Sequence, residues 1–317
     1  MKKIIISNLL IILIFFSIAE IFLNYFNLSG LKGYEKELIK KKKNIETIVF
    51  GKKVFIDKFG YRTPNNSFIY KENLRRIIFI GDSVLFGSGI DEEKTFVGKL
   101  RLENNNISFV NAGIIGNDIP EILFDIEKNN KLFPDSEFII VLTLDDIQIN
   151  KTKNDSFELN NNNNFVKKLK ENYIINKINV FLRAKSYTYI WIKGIVTKPS
   201  ERYFVENLNY YNSKKNINFF DEYIKKIKKI INSKKLSVKF IILPFEYQTR
   251  NQCNEKYLIP QKKINNIFEK NEIDLFDLTQ NFCIYLNPKK LYLNFDPVHL
   301  SVKGHDLVFE FISREIN

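Results

Sequence analysis

Histidine and cysteine are scarce in this 317-residue chain, with two of each, and there is a single methionine and a single tryptophan. Two cysteines, Cys253 and Cys283, can build neither a disulfide scaffold nor a four-cysteine zinc site. Two histidines, His299 and His305, leave little room for a His-rich metal centre, and any imidazole chemistry must use one of them. Twelve glycines and eight prolines exclude a collagen-like or low-complexity chain. No glycine-rich phosphate loop or dinucleotide fingerprint occurs. Acidic residues are outnumbered 36 to 49 by basic ones, a net charge of +13. Charge alone would admit a nucleic-acid partner, but no reading motif accompanies it, so none is expected. Apolar residues make up 44% of the chain, too many for a disordered protein. The length allows one large domain or at most two.

Charge is also missing from most of the N-terminus. Lys2 and Lys3 precede an apolar run from Ile4 to Phe26 whose one charge is Glu20. About 20 helical residues cross a bilayer core. Residues 1–28 therefore read as a transmembrane anchor. A signal peptide cut after Ala19 is the competing reading, because Ser17-Ile18-Ala19 fits the small-x-small pattern. Apolar residues continue past Ala19 as Ile21, Phe22, Leu23, Tyr25 and Phe26, which favours the anchor. Lys2 and Lys3 argue for an inside N-terminus, while Lys32, Lys36 and Lys40 to Lys43 argue the opposite way.

Residues 29–75 read as a Lys-rich connector followed by a β-rich lead-in, with turns at Lys58-Phe59-Gly60 and Pro64-Asn65-Asn66. From residue 76 short apolar runs alternate with helical stretches. The runs are 76–80, 107–111, 138–142, 238–243 and 273–277. The helices fall at 94–105, 119–130, 219–233, 260–271 and 301–315. This rhythm predicts a three-layer α/β/α sandwich around a parallel sheet of about five strands. Residues 150–218 break it with an Asn run, Asn160 to Asn164, and an aromatic stretch through Tyr187, Tyr189 and Trp191. They read as an insertion that caps the active-site edge.

Open α/β sheets carry their chemistry at the carboxyl ends of the strands. The first run ends in Gly81-Asp82-Ser83, a serine in a strand-to-helix turn. An isolated Gly-Asp-Ser is equally an ordinary helix cap. Near the C-terminus stands Asp296-Pro297-Val298-His299, followed by Gly304-His305. A serine hydroxyl needs a base to become a nucleophile, and a carboxylate commonly orients that base. Asp and His three residues apart can meet within one loop.

Together these segments resemble the SGNH, or GDSL-type, hydrolases over roughly residues 76–317. Gly81-Asp82-Ser83 matches the nucleophile block. Asn111-Ala112-Gly113-Ile114-Ile115-Gly116 matches the second block. Asp296 and His299 match the last. The resemblance implies a flavodoxin-like fold, with Ser83, Asp296 and His299 as catalytic triad and an oxyanion hole from the Ser83 and Gly116 amides. It implies no metal and no organic cofactor. One block departs: where the family has Gly-x-Asn-Asp, this chain has Thr143-Leu144-Asp145-Asp146. Asp145 thus stands where an Asn would donate to the oxyanion, and an ionised carboxylate cannot donate.

Phe59-Gly60-Tyr61-Arg62 is similar to the lead-in of membrane-anchored bacterial members, which implies an extracytoplasmic domain. The expected activity is hydrolysis or transfer of acyl or acetyl esters on an envelope glycan or lipid. The alternative is a non-catalytic or weakly catalytic envelope protein of the same fold that binds glycan or a partner. In an exported domain Cys253 and Cys283 could be bonded. They could equally be two buried thiols.

Overall fold

The computed structural model describes residues 2–25, 42–147 and 173–316. The connector over 29–41, Asn150 and the Asn160 to Asn164 run lie outside the described residues. Helix α1 (Lys2–Tyr25) is followed by strands β1 (Ile45–Val49), β2 (Lys52–Ile56), β3 (Arg62–Thr63) and β4 (Arg75–Gly81). Next come α2 (Ser83–Phe86), α3 (Phe96–Glu103), β5 (Ile107–Gly113), α4 (Ile119–Leu132) and β6 (Glu137–Leu142). Four helices follow, α5 (Tyr173–Lys185), α6 (Tyr187–Thr197), α7 (Pro199–Asn212) and α8 (Lys214–Lys234). The chain closes with β7 (Val238–Ile242), α9 (Glu246–Arg250), α10 (Ile259–Lys270), β8 (Leu275–Asp277), α11 (Thr279–Cys283) and α12 (Val302–Ile316).

All eight described strands join one sheet in the order β1-β2-β3-β5-β4-β6-β7-β8. The five strands expected from the apolar runs are its parallel part, β5-β4-β6-β7-β8. The lead-in adds three antiparallel strands, joined to β5 through Arg62 opposite Asn111. Val54 and Ile56 of β2 are buried, so the lead-in has an apolar face of its own to cover.

Strands β4, β5 and β6 are buried on both faces over most of their length, which explains their largely apolar sequences. Helices α3 and α12 pack together over one face, and α4, α8 and α10 over the other. Phe79 sits between these layers against Phe96 and Phe109, with ring centroids 5.6 and 6.3 Å away. Burying each such side chain contributes about 1.5–3 kcal/mol. Local signals agree with the packing. At the start of α4, the Asp118 side chain accepts from the Glu121 amide, and the Glu121 side chain accepts from the Asp118 amide. That reciprocal pair satisfies two otherwise orphaned donors. The outcome is a sheet whose carboxyl edge collects the loops after Gly81, Gly113, Leu142 and Ile242.

Candidate active site

Ser83 is held by the tight turn that follows β4. A Cβ on Gly81 would lie 2.6 Å from the Val141 carbonyl, so only glycine lets β4 and β6 close there. Asp82 caps the turn, its Oδ1 accepting from the Val84 amide at 2.8 Å. Gly87, at φ +78°, ends α2 in the left-handed region. The far side of this turn is bound by a fully buried Arg62, whose guanidinium donates to the carbonyls of Phe86, Gly87 and Ile90 at 2.8, 2.6 and 2.5 Å. Burial, opposed by Glu92, lowers the Arg62 pKa to about 10, which leaves it charged at neutral pH. Asn111 ties β5 to the same turn, donating from Nδ2 to the Leu85 carbonyl at 3.1 Å. Sequence reading placed Asn111 in a motif without a task for it, and met Arg62 only in the Phe-Gly-Tyr-Arg lead-in.

The structure brings Ser83, His299 and Asp296 into one hydrogen-bonded row. Ser83 Oγ lies 2.9 Å from His299 Nε2, and His299 Nδ1 lies 2.8 Å from Asp296 Oδ2. Asp296 Oδ1 accepts from the amides of Val298 and His299 at 2.9 and 2.7 Å, which locks the loop around the carboxylate. Burial alone would raise the Asp296 pKa, but the His299 charge and these hydrogen bonds bring it below its ordinary value. Burial alone would lower the His299 pKa; the Asp296 charge and hydrogen bond, with Asp82 and Asp145 adding, raise it instead. The Phe50 ring covers the imidazole at 5.2 Å between centroids.

Gly116 lies in the loop after β5, at φ +78° with open space where a Cβ would point. The backbone conformation, not crowding, therefore calls for glycine. The loop is tied to the Ser83 turn, because the Ile114 amide donates to the Gly81 carbonyl at 3.0 Å. Asp145 follows β6, buried with both oxygens engaged: Oδ1 accepts from the Thr143 hydroxyl and Oδ2 from the Tyr203 hydroxyl, each at 2.7 Å. Asp82, Asp145 and Asp146 each place a carboxylate oxygen within 4.8 Å of the others. Such an oxygen set is of the kind a hard divalent cation takes. Here the Thr143 amide donates into it, to Asp146 Oδ2 at 2.7 Å. This buried negative charge favours the imidazolium form of His299.

Tyr203 comes from α7, inside the 150–218 stretch, and no signal in that stretch pointed to it. From the same helix Tyr211 donates to the Leu144 carbonyl at 2.7 Å, so α7 is fastened to the loop after β6. A cavity of about 320 Å³ adjoins Asp296, lined by residues that include Gly194, Ser200, Glu246, Arg250 and Phe295. His305 is fully buried, its Nδ1 accepting from the Phe96 amide at 3.3 Å, and burial lowers its pKa to about 3. It is a neutral packing residue away from Ser83, which leaves His299 as the imidazole in contact with the serine. Cys253 and Cys283 are joined in a disulfide, with Cα atoms 5.9 Å apart. Asp277 accepts from the Thr279 amide at 2.9 Å, a helix-capping contact.

A serine, a histidine and a carboxylate lined up at the carboxyl edge of a doubly covered parallel sheet define a class of α/β ester hydrolase. A family model for the GDSL-like lipase/acylhydrolases matches residues 77–312, and the chain belongs to that family. Among solved structures, a lipase/acylhydrolase from Enterococcus faecalis is similar at 14% identity and a TM-score of 0.46, covering 77% of this chain and 95% of that one. The acetyl xylan esterase AlAXEase is similar at 14% identity and a TM-score of 0.47, covering 76% and 100%. Axe2, an acetylxylan esterase from Geobacillus stearothermophilus, is similar at 16% identity and a TM-score of 0.41, covering 77% and 94%. No curated protein matches the chain.

Proposed function

We propose that the chain is a membrane-anchored serine esterase that hydrolyses or transfers acyl or acetyl groups on an envelope glycan or lipid. The observation that carries this is the Ser83–His299–Asp296 row at 2.9 and 2.8 Å. Ser83 Oγ attacks the ester carbonyl as His299 Nε2 takes its proton. Asp296 holds the imidazole in the tautomer that accepts at Nε2 and stabilises the imidazolium. The Ser83 and Gly116 amides bind the oxyanion of the tetrahedral intermediate. His299 then returns the proton to the leaving alcohol. Water, or a sugar hydroxyl, releases the acyl group from Ser83.

Helix α1 supplies the anchor. Residues Ile6–Tyr25 have a mean hydropathy of 2.4, enough length and apolarity to cross a membrane. The Cys253–Cys283 disulfide supports an oxidising, extracytoplasmic location. The test is labelling of the full-length protein with a fluorophosphonate, with turnover of short p-nitrophenyl esters measured alongside. Ser83→Ala and His299→Ala each abolish labelling and lower turnover at least about 10³-fold. A native chain that neither labels nor turns over refutes the proposal.

Asp145 favours a second reading, a weak catalyst or binding protein, because an acidic residue stands at the sequence position where the family carries a donating Asn. Replacing one such donor costs about 10²–10³ in rate. A gain of that order in Asp145→Asn identifies a compromised catalyst. Indifference of all activity to Ser83, Asp296 and His299 identifies a binding module.

A further inference from the structure

Glu20, the one charge in the apolar run from Ile4 to Phe26, is half-buried against α6. Its carboxylate accepts from the Ser186 hydroxyl and the amides of Tyr187 and Thr188, at 2.9, 2.7 and 2.9 Å. It therefore caps the N-terminus of α6, and Leu23 packs on Tyr187 beside this contact. Helix α5 is joined to α6 by hydrogen bonds from Tyr189 Oη and Lys193 Nζ to Asn179 Oδ1, at 2.8 and 2.7 Å. The inner side of α6 presses on the catalytic loop. Gly194 lies so close to the Phe295 ring that a Cβ there would come within 2.5 Å, and Phe295 immediately precedes Asp296.

Among the described residues, the outer side of this helix pair is apolar and exposed. Ile174, Ile178 and Phe181 recur at helical spacing on α5 and are 65%, 53% and 61% exposed. On α6, Trp191, Ile195 and Val196 are 40%, 52% and 74% exposed. Uncovered apolar patches of this extent mark interaction surfaces.

From these observations we propose that α5 and α6 lie in the bilayer interface beside α1, and that they hold the catalytic edge of the sheet against the membrane surface. The proposal rests on reading α1 as an anchor. The depth of the docking point identifies the occupant as lipid. Glu20 lies five residues before Tyr25, about 7.5 Å along α1 at 1.5 Å per residue, and the apolar run of the sequence closes at Phe26. Amphipathic interfacial helices sink about 5–10 Å into the headgroup and acyl boundary. A helix capped by Glu20 and packed on Leu23 is thus placed at that level beside α1. Lys177 and Lys193, resting over the rings of Tyr173 and Tyr189 at 6.0 and 5.7 Å, place cations beside this face, where headgroup phosphates lie. A carboxylate at this depth would be costly alone, and the α6 amides offset that cost.

Trp191 is the one tryptophan in the chain, so its fluorescence reports on α6 without labelling. The full-length protein is reconstituted into phosphatidylcholine vesicles with and without brominated acyl chains, and floated on a density gradient. The expected result is flotation, a Trp191 emission shifted to shorter wavelength, strong quenching by brominated lipid and weak quenching by aqueous acrylamide. A Phe181→Glu, Val196→Glu double variant still floats and still cleaves a water-soluble ester, but loses the brominated-lipid quenching. Flotation with a Trp191 open to acrylamide and untouched by brominated lipid overturns the inference and leaves the anchor standing. Shielding from both quenchers that depends on protein concentration also overturns it, in favour of a second copy covering the patch. Failure to float refutes the anchor, and the inference with it.

Discussion

In the proposed mechanism His299 is the base, a role open to it only when neutral, and its pKa is raised above the ordinary 6.5 by Asp296, Asp82 and Asp145 acting against burial. Protonation at low pH removes the base, so kcat/KM rises with pH along a limb centred above 6.5. A pH–rate profile on a p-nitrophenyl ester measures that midpoint. Tyr203 donates to Asp145 and so offsets part of its charge. Tyr203→Phe strengthens the field of Asp145 on the imidazole and moves the same limb to higher pH, whereas a merely structural role leaves it in place. The Ser83, His299 and Asp296 positions were readable in the chain because two short segments carry them and few histidines compete. Tyr203 was not, because it reaches the site from a helix with no motif and touches Asp145 only through the fold.

Elements position these residues, and two contacts show how. Arg62 donates to three carbonyls, those of Phe86, Gly87 and Ile90, at and just beyond the end of α2. Arg62→Met removes three charge-assisted hydrogen bonds at once, though the Gly87 carbonyl keeps the Ile90 amide, so it destabilises by roughly 3 kcal/mol in urea unfolding and lowers turnover by displacing Ser83. Gly194 allows α6 to lie on Phe295. Gly194→Ala drives a methyl into that ring, a crowding cost of about 1–3 kcal/mol, and shifts the loop that carries Asp296. The expected readout is a fall in kcat larger than the change in KM. Whereas α5, α6 and α7 fall in the stretch read only as an insertion, the five parallel strands and the helices packed on them were legible from their periodicity. The three lead-in strands joining the same sheet were not, because their pairing to β5 depends on a long-range contact between Arg62 and Asn111.

For the molecule as a whole, His305 makes folding sensitive to acid. Its pKa is lowered to about 3 in the fold, so the native state refuses a proton that the unfolded chain accepts near 6.5. Stability is therefore complete above pH 6.5 and declines as the pH falls from there toward 3. His305→Gln flattens that decline in thermal melts taken across the range. The Cys253–Cys283 bond closes a loop with a sequence separation of 30. Its removal in a Cys253→Ser, Cys283→Ser double variant costs about 2–4 kcal/mol, read from the urea midpoint.

Sequence by itself determined the apolar N-terminal helix, the parallel α/β layering and the segments holding Ser83, Asp296 and His299. Each rests on a local pattern: a long apolar run, a strand–helix rhythm, or a carboxylate three residues from a histidine. Tertiary structure alone decided what occupies the ground between them. It set Arg62 under the nucleophile turn, Tyr203 on Asp145 and His305 in the core, and it turned Glu20 from an isolated charge into the cap of α6. These are contacts between residues tens to hundreds of positions apart. Their energies depend on burial and hydrogen-bond geometry, which no spacing along the chain records.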